Sequence, residues 1–170
     1  MDKKRVFSKI LEDIKNVKIQ GARNIAKKAL YAYSLIPTPK SKKLLVSARP
    51  TEPMLVNVLG RMDKNSYGEI TRHFDQAQKK INGYVLKMVK NGDVIFTHCH
   101  STNVSNALIY TKKKGKKFEV YVTETRPLMQ GRKTARELSK AGIKVTMFVD
   151  SALEDALSGE GKLKKADKVF

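Results

Sequence analysis

The stretch Asp93-Val94-Ile95-Phe96-Thr97-His98-Cys99-His100-Ser101-Thr102-Asn103 decides how this chain is read. A short apolar run gives way within a few residues to polar groups able to open a helix. Residues 93–98 therefore read as a buried strand, with Ser101, Thr102 and Asn103 offering hydroxyl and amide caps to a helix beyond them. The chain's only cysteine stands at this junction. A helix start presents unpaired N–H groups that bind phosphate and favour a reactive thiol, so an anion site and a nucleophile or base would coincide there. The competing reading makes Cys99 a small packed hydrophobe. His98 and His100 alternate with it, so on an extended strand both imidazoles share one face and the thiol takes the other. That geometry argues against a zinc site.

Toward the C-terminus the grammar repeats. Short apolar segments at 119–123 and 143–149 alternate with helical patterns at 103–113, 132–140 and 151–157, and residues 166–170 read as the start of a fourth strand. Strand–helix alternation of this kind predicts a parallel sheet covered by helices, an α/β arrangement. Such a sheet binds its ligand where the strand order reverses, a crevice commonly flanked by the first and fourth strands. Glu124 and Arg126 close the second strand, where an ion pair between them is the simplest account. Asp150 ends the third strand and is expected to cap the helix that begins near Ser151.

Toward the N-terminus the period is helical. Residues 66–90 read as one long helix carrying Ile70, Phe74, Ala77, Ile81, Val85, Met88 and Val89, with Gly83 weakening its middle. Phe7, Ile10, Leu11 and Ile14 define one amphipathic helix, and Ile25, Ala26, Ala29, Leu30 and Tyr33 define another. A short helix through Leu44, Leu45 and Val46 ends at the Arg49-Pro50 step. The next starts at Pro53, with Thr51 as the expected N-cap.

Composition bounds the function. The chain has 170 residues, 41% of them hydrophobic, which is ordinary for a globular protein. No stretch approaches the ~18 consecutive apolar residues of a membrane helix, and no signal-type segment follows the basic N-terminus, so no membrane partner is predicted and the expected location is cytoplasmic. One cysteine forbids an internal disulfide, and three histidines leave few metal ligands, so no metal and no cofactor is predicted. The net charge of +19 admits nucleic acid. However, 20 basic and 7 acidic residues fall in residues 1–90 and 15 against 9 in the remainder, with no aromatic-interleaved stripe. Charge alone therefore supports that partner, and the lysine run at 112–117 reads as solvated surface.

Four segments read together carry a resemblance: Ile19-Gln20-Gly21-Ala22-Arg23; Ser47-Ala48-Arg49-Pro50-Thr51-Glu52-Pro53; Thr97-His98-Cys99-His100-Ser101; and Thr123-Glu124-Thr125-Arg126-Pro127 with Gln130-Gly131. Val149-Asp150-Ser151-Ala152 is a fifth signpost. The chain resembles the family that unites the alpha, beta and delta regulatory subunits of translation initiation factor 2B with two sugar-phosphate isomerases. Of these it is most similar to the archaeal ribose-1,5-bisphosphate isomerase; the other is methylthioribose-1-phosphate isomerase.

The resemblance implies a helical N-terminal domain over residues 1–88 and an incomplete Rossmann-like α/β domain over residues 89–170. It implies Cys99 as the catalytic, proton-accepting group of a sugar-bisphosphate isomerase in nucleotide salvage. It further implies substrate contacts from Gly21, Ala22, Arg23, Asn24, Arg49, Ser101, Thr102 and Asn103, although Arg23 and Arg49 could equally be two among many surface cations. Homo-oligomers or related initiation-factor subunits are the implied partners, with a phosphorylated sugar or nucleotide as ligand. Residues 166–170 resemble the run that leads into the family's catalytic aspartate, and Asp167 is not that aspartate, so the sequence is expected to be a fragment. The alternative is a noncatalytic regulatory subunit that binds a nucleotide or another initiation factor.

Overall fold

The structure is a computed structural model that describes residues 2–170. The chain divides into two compact units, residues 1–76 and residues 77–170.

The N-terminal unit is built from helices α1 (Lys3–Lys15), α2 (Ala22–Leu35), α3 (Pro39–Ala48), α4 (Pro53–Arg61) and the first part of α5 (Tyr67–Met88). Their starts follow local chemistry. The Asp2 carboxylate accepts the Lys4 N–H, the Thr38 hydroxyl accepts the Ser41 N–H, and proline occupies the first turn of α3 and α4. Ser66 and Glu69 cap α5 reciprocally: the Glu69 carboxylate accepts the Ser66 N–H at 2.7 Å, and the Ser66 hydroxyl accepts the Glu69 N–H at 3.3 Å. At α4 the expected cap, Thr51, is replaced by Glu52, whose longer carboxylate reaches the Met54 N–H at 3.3 Å. Ile14, Ile25, Leu30, Leu45, Leu55 and Leu59 are fully enclosed in one apolar core, and each contributes on the order of 1.5–3 kcal/mol.

The C-terminal unit holds four parallel strands, β1 (Val94–Thr97), β2 (Glu119–Thr123), β3 (Lys144–Phe148) and β4 (Lys168–Val169), in the order β3-β2-β1-β4. Between them run α6 (Thr102–Lys113), α7 (Gln130–Lys140), a single 3₁₀ turn at Asp150–Ala152 and α8 (Leu153–Ser158). The parallel pairing is what the alternating pattern predicted, and the order reverses between β1 and β4, as is usual in doubly wound sheets. β1 is buried along its whole length, as a near-continuous apolar run in a covered parallel sheet should be. Ile95 and Val120 pack with Leu108 and Leu138 on one face, while Val94, Phe96 and Tyr121 pack with Ala156 on the other.

The division between units falls inside α5, twelve residues before the expected boundary at residue 88. The reason is packing. Ile81, Val85 and Val89 continue the helical period but belong to the apolar cluster of the sheet unit.

Candidate functional site

Parallel strands bring their carboxyl ends to one edge, and the loops after β1, β2 and β3 meet there. β1 stops at Thr97, and at Cys99 the backbone turns to φ +65°, in the left-handed region. The expectation of an extended Cys99 with its thiol opposite two histidines therefore does not hold. Every polar atom of Cys99 is instead engaged. Its N–H donates to the Thr125 hydroxyl at 3.0 Å, its carbonyl accepts from the Thr134 hydroxyl at 2.8 Å, and its thiol donates to the Gln130 side-chain oxygen at 3.0 Å. The residue remains partly exposed.

The two histidines tie this loop to its neighbours rather than forming a pair. His98 Nδ1 bonds the hydroxyl of Thr123 at the end of β2, and His100 Nδ1 lies 3.0 Å from the Thr134 hydroxyl on α7. Thr134 has one hydroxyl hydrogen and gives it to Cys99, so His100 Nδ1 carries the hydrogen it shares with Thr134. Burial holds the His100 imidazole below its ordinary value; Glu137 opposes this and Lys133 adds to it.

Two further residues on this edge have left-handed backbones, Thr125 at φ +61° and Met129 at φ +52°. For a β-branched residue such as Thr125 that conformation costs on the order of 1–3 kcal/mol and requires external support. Asp150 supplies it. Its two carboxylate oxygens accept the N–H groups of Thr125 and Arg126, each at 2.7 Å. The expected role of Asp150 as a helix cap is thus corrected: Val149 precedes the 3₁₀ turn without a side-chain cap, and the Asp150 carboxylate reaches across to the β2 loop. The Arg126 N–H holds the Asp150 carboxyl below its ordinary range against partial burial, aided by the Thr125 N–H. Glu124 accepts from Arg126 at 2.8 Å, as expected, and also from Arg132 at 2.7 Å. Gly131 completes the edge, because a Cβ there would collide with the Thr123 carbonyl oxygen.

Ser101, Thr102 and Asn103 stand at the start of α6. Ser101 is its N-cap, accepting the Val104 N–H at 3.4 Å, and the Asn103 carbonyl accepts from Gln78. Gly21, Ala22, Arg23, Asn24 and Arg49 lie in the N-terminal unit. Gly21, at φ +82°, opens α2 without a side-chain cap. Arg23 bonds Asp75 at 2.8 Å and lies over the Phe74 ring. Arg49 ends α3, and its Nη1 is buried with no hydrogen-bond partner among the described residues. An orphaned guanidinium nitrogen is costly unless an anion meets it.

The sequence does not single out Thr125, Gln130 or Thr134 as neighbours of Cys99, nor Asp150 as the partner of Thr125. Thr125, Gln130 and Asp150 stand inside the quoted motif segments, but side-chain reach across strands leaves no local periodicity to read. Among the described residues no group of three or more histidine, cysteine or acidic side chains could hold a metal, and no helix is long and apolar enough to cross a membrane.

The model of the initiation factor 2 subunit family matches residues 39–170. The chain belongs to that family. Ribose 1,5-bisphosphate isomerase of Thermococcus kodakarensis is 35% identical, covering 84% of this chain and 55% of its own length. The enzyme of the same name from Methanocaldococcus jannaschii is 32% identical, covering 90% and 58%. The chain also matches a putative translation initiation factor eIF-2B subunit 2-like protein of Pyrococcus furiosus at 29% identity, covering 85% and 59%. The chain thus spans little more than half the length of these curated relatives. Among solved structures, a Pyrococcus horikoshii translation initiation factor eIF-2B superposes with a TM-score of 0.70 at 24% identity, covering 86% of this chain and 60% of that one. At that identity the likeness is one of fold.

Proposed function

We propose that this chain belongs to a sugar-phosphate isomerase acting on ribose 1,5-bisphosphate, with Cys99 as a proton-accepting group. The observation that carries the reading is the placement of Cys99. It is a partly exposed thiol, fixed through all its polar atoms, at the carboxyl edge beside the point where the strand order reverses. Aldose–ketose interconversion moves a hydrogen between neighbouring carbons and needs poised acid–base groups and held phosphates. The start of α6 at Ser101, Thr102 and Asn103 supplies N–H and hydroxyl donors suited to a phosphate. Gly21, Ala22, Arg23, Asn24 and Arg49 supply a second set of donors, and the unpartnered Nη1 of Arg49 favours an anionic ligand for it. Self-association, or pairing with a related initiation-factor subunit, belongs to the same proposal, as does a cytoplasmic location.

The test is conversion of ribose 1,5-bisphosphate to ribulose 1,5-bisphosphate by the full-length protein and by its Cys99→Ser variant. Loss of about 10²-fold or more in turnover, with substrate binding retained, is the expected result. Undiminished turnover in the variant would remove Cys99 from the chemistry. The likeness to eIF-2B-named relatives favours a second reading, a noncatalytic regulatory subunit; ligand binding without turnover in either protein would select it.

A further inference from the structure

We infer that Asp150 is a positioning residue for Cys99, acting through Thr125. The inference deepens the proposed function and depends on it only for the catalytic consequence. Asp150 does not touch the cysteine. Its carboxylate receives two consecutive backbone N–H groups, those of Thr125 and Arg126, at 2.7 Å each. Bonds of that length to a full negative charge are about twice as strong as neutral ones. They bind the loop after β2 to the end of β3, and they do so at a residue whose left-handed backbone needs a restraint.

Thr125 passes that restraint on. Its hydroxyl donates to the Thr123 carbonyl at 3.2 Å and, with its one hydrogen so used, presents a lone pair to the Cys99 N–H at 3.0 Å. Cys99 is itself left-handed, so this hydrogen bond holds a second strained backbone in place and with it the direction of the Cα–Cβ bond. Gln130 then receives the thiol. The chain of contacts runs from the third strand, through the loop after the second, to the sulfur after the first. Helix capping would require none of it, and the two Asp150 oxygens accept from the loop after β2.

The test reads the thiol rather than turnover. Cys99 alkylation by iodoacetamide is timed in the wild-type chain and in Asp150→Asn, Thr125→Val, Thr125→Ser and the Asp150→Asn/Thr125→Val double variant, with folding checked by circular dichroism. Asp150→Asn and Thr125→Val are each expected to raise the rate about fivefold, the kinetic counterpart of one lost hydrogen bond. Thr125→Ser keeps the hydroxyl and is expected to react like the wild type. The double variant is expected to match either single variant, because both cut the same relay. The Cys99 amide resonance should move in Asp150→Asn although its direct partner, Thr125, is intact. A folded Asp150→Asn chain with wild-type alkylation and an unmoved Cys99 amide would overturn the inference, as would effects that add in the double variant. Neither result depends on whether ribose 1,5-bisphosphate is the substrate, so failure of the proposed function would show separately, as turnover indifferent to Cys99→Ser.

Discussion

The two edges of the same four-stranded sheet are built on different physics. At the amino edge the contacts are between charges on strand ends. Asp93 accepts from Lys168 at 2.6 Å and from the Lys90 N–H, and Glu119 pairs with Lys144 and Lys164. A shallow cavity of about 480 Å³ opens there, lined in part by Phe118 and those same Glu119, Lys144 and Lys164 side chains. At the carboxyl edge three non-glycine residues hold left-handed backbones, and hydroxyl, amide and carboxylate groups from three loops interlock around a thiol. One edge closes the fold with charge pairs between strand ends. The other stores strain against a dedicated network, as sites that must hold one geometry do.

Glycine substitutions separate the edges most sharply. Gly131→Ala drives a methyl group into the Thr123 carbonyl and is expected to cost about 3 kcal/mol or more in urea unfolding. Gly115→Ala, in the loop leading into β2 at the amino edge, meets no atom within 4 Å and carries only the penalty of φ +89°, about 1 kcal/mol. Equal losses at the two positions would erase the contrast.

Asp93→Asn is the next largest expected effect, about 2 kcal/mol, since a buried carboxylate with two charge-assisted bonds becomes neutral. Burial opposes ionisation of Asp93, but Lys168 and the Lys90 N–H outweigh it and hold the carboxyl below its ordinary 3.8. A carboxyl lowered on folding adds stability that is full above its unfolded value and lost as pH falls through the folded one. The fall in stability below about pH 4 should therefore be shallower in Asp93→Asn. It should not vanish, because Glu119, Glu124 and Asp150 share the sign.

The carboxyl edge adds a second window. Folding depresses the His100 value below 6.5, so its contribution is full above that pH and is lost as pH falls through the folded value. His100→Phe should flatten the stability profile just below pH 6.5 and leave the acid limb unchanged; an unaltered profile would count against the buried neutral imidazole. The smallest expected effect is that of Lys144→Ala. Its ammonium is mostly solvated, so the urea midpoint should not move measurably.

Much of this was legible in the chain. The apolar runs from Val94 to Phe96 and from Val120 to Val122 announced strands because each is buried on both faces, and the Arg49-Pro50 step marked a helix end by steric exclusion. Ser101 capped as its position suggested. What escaped the sequence depends on three-dimensional reach. Cys99, left-handed, gives its N–H to Thr125, 26 residues on, and Asp150 directs its oxygens to a loop 25 and 24 residues back. α5 shows a related limit: it keeps one unbroken period while Ile70 and Phe74 join one apolar cluster and Ile81, Val85 and Val89 another.

The most direct measurement is ligand protection of the thiol. With ribose 1,5-bisphosphate at saturation, alkylation of Cys99 should slow by about tenfold, while ribose at the same concentration leaves the rate unchanged because it lacks the phosphates that anchor the sugar. Alkylation at the unliganded rate, with the bisphosphate bound to the protein, would contradict the proposed role of Cys99 in a phosphosugar site.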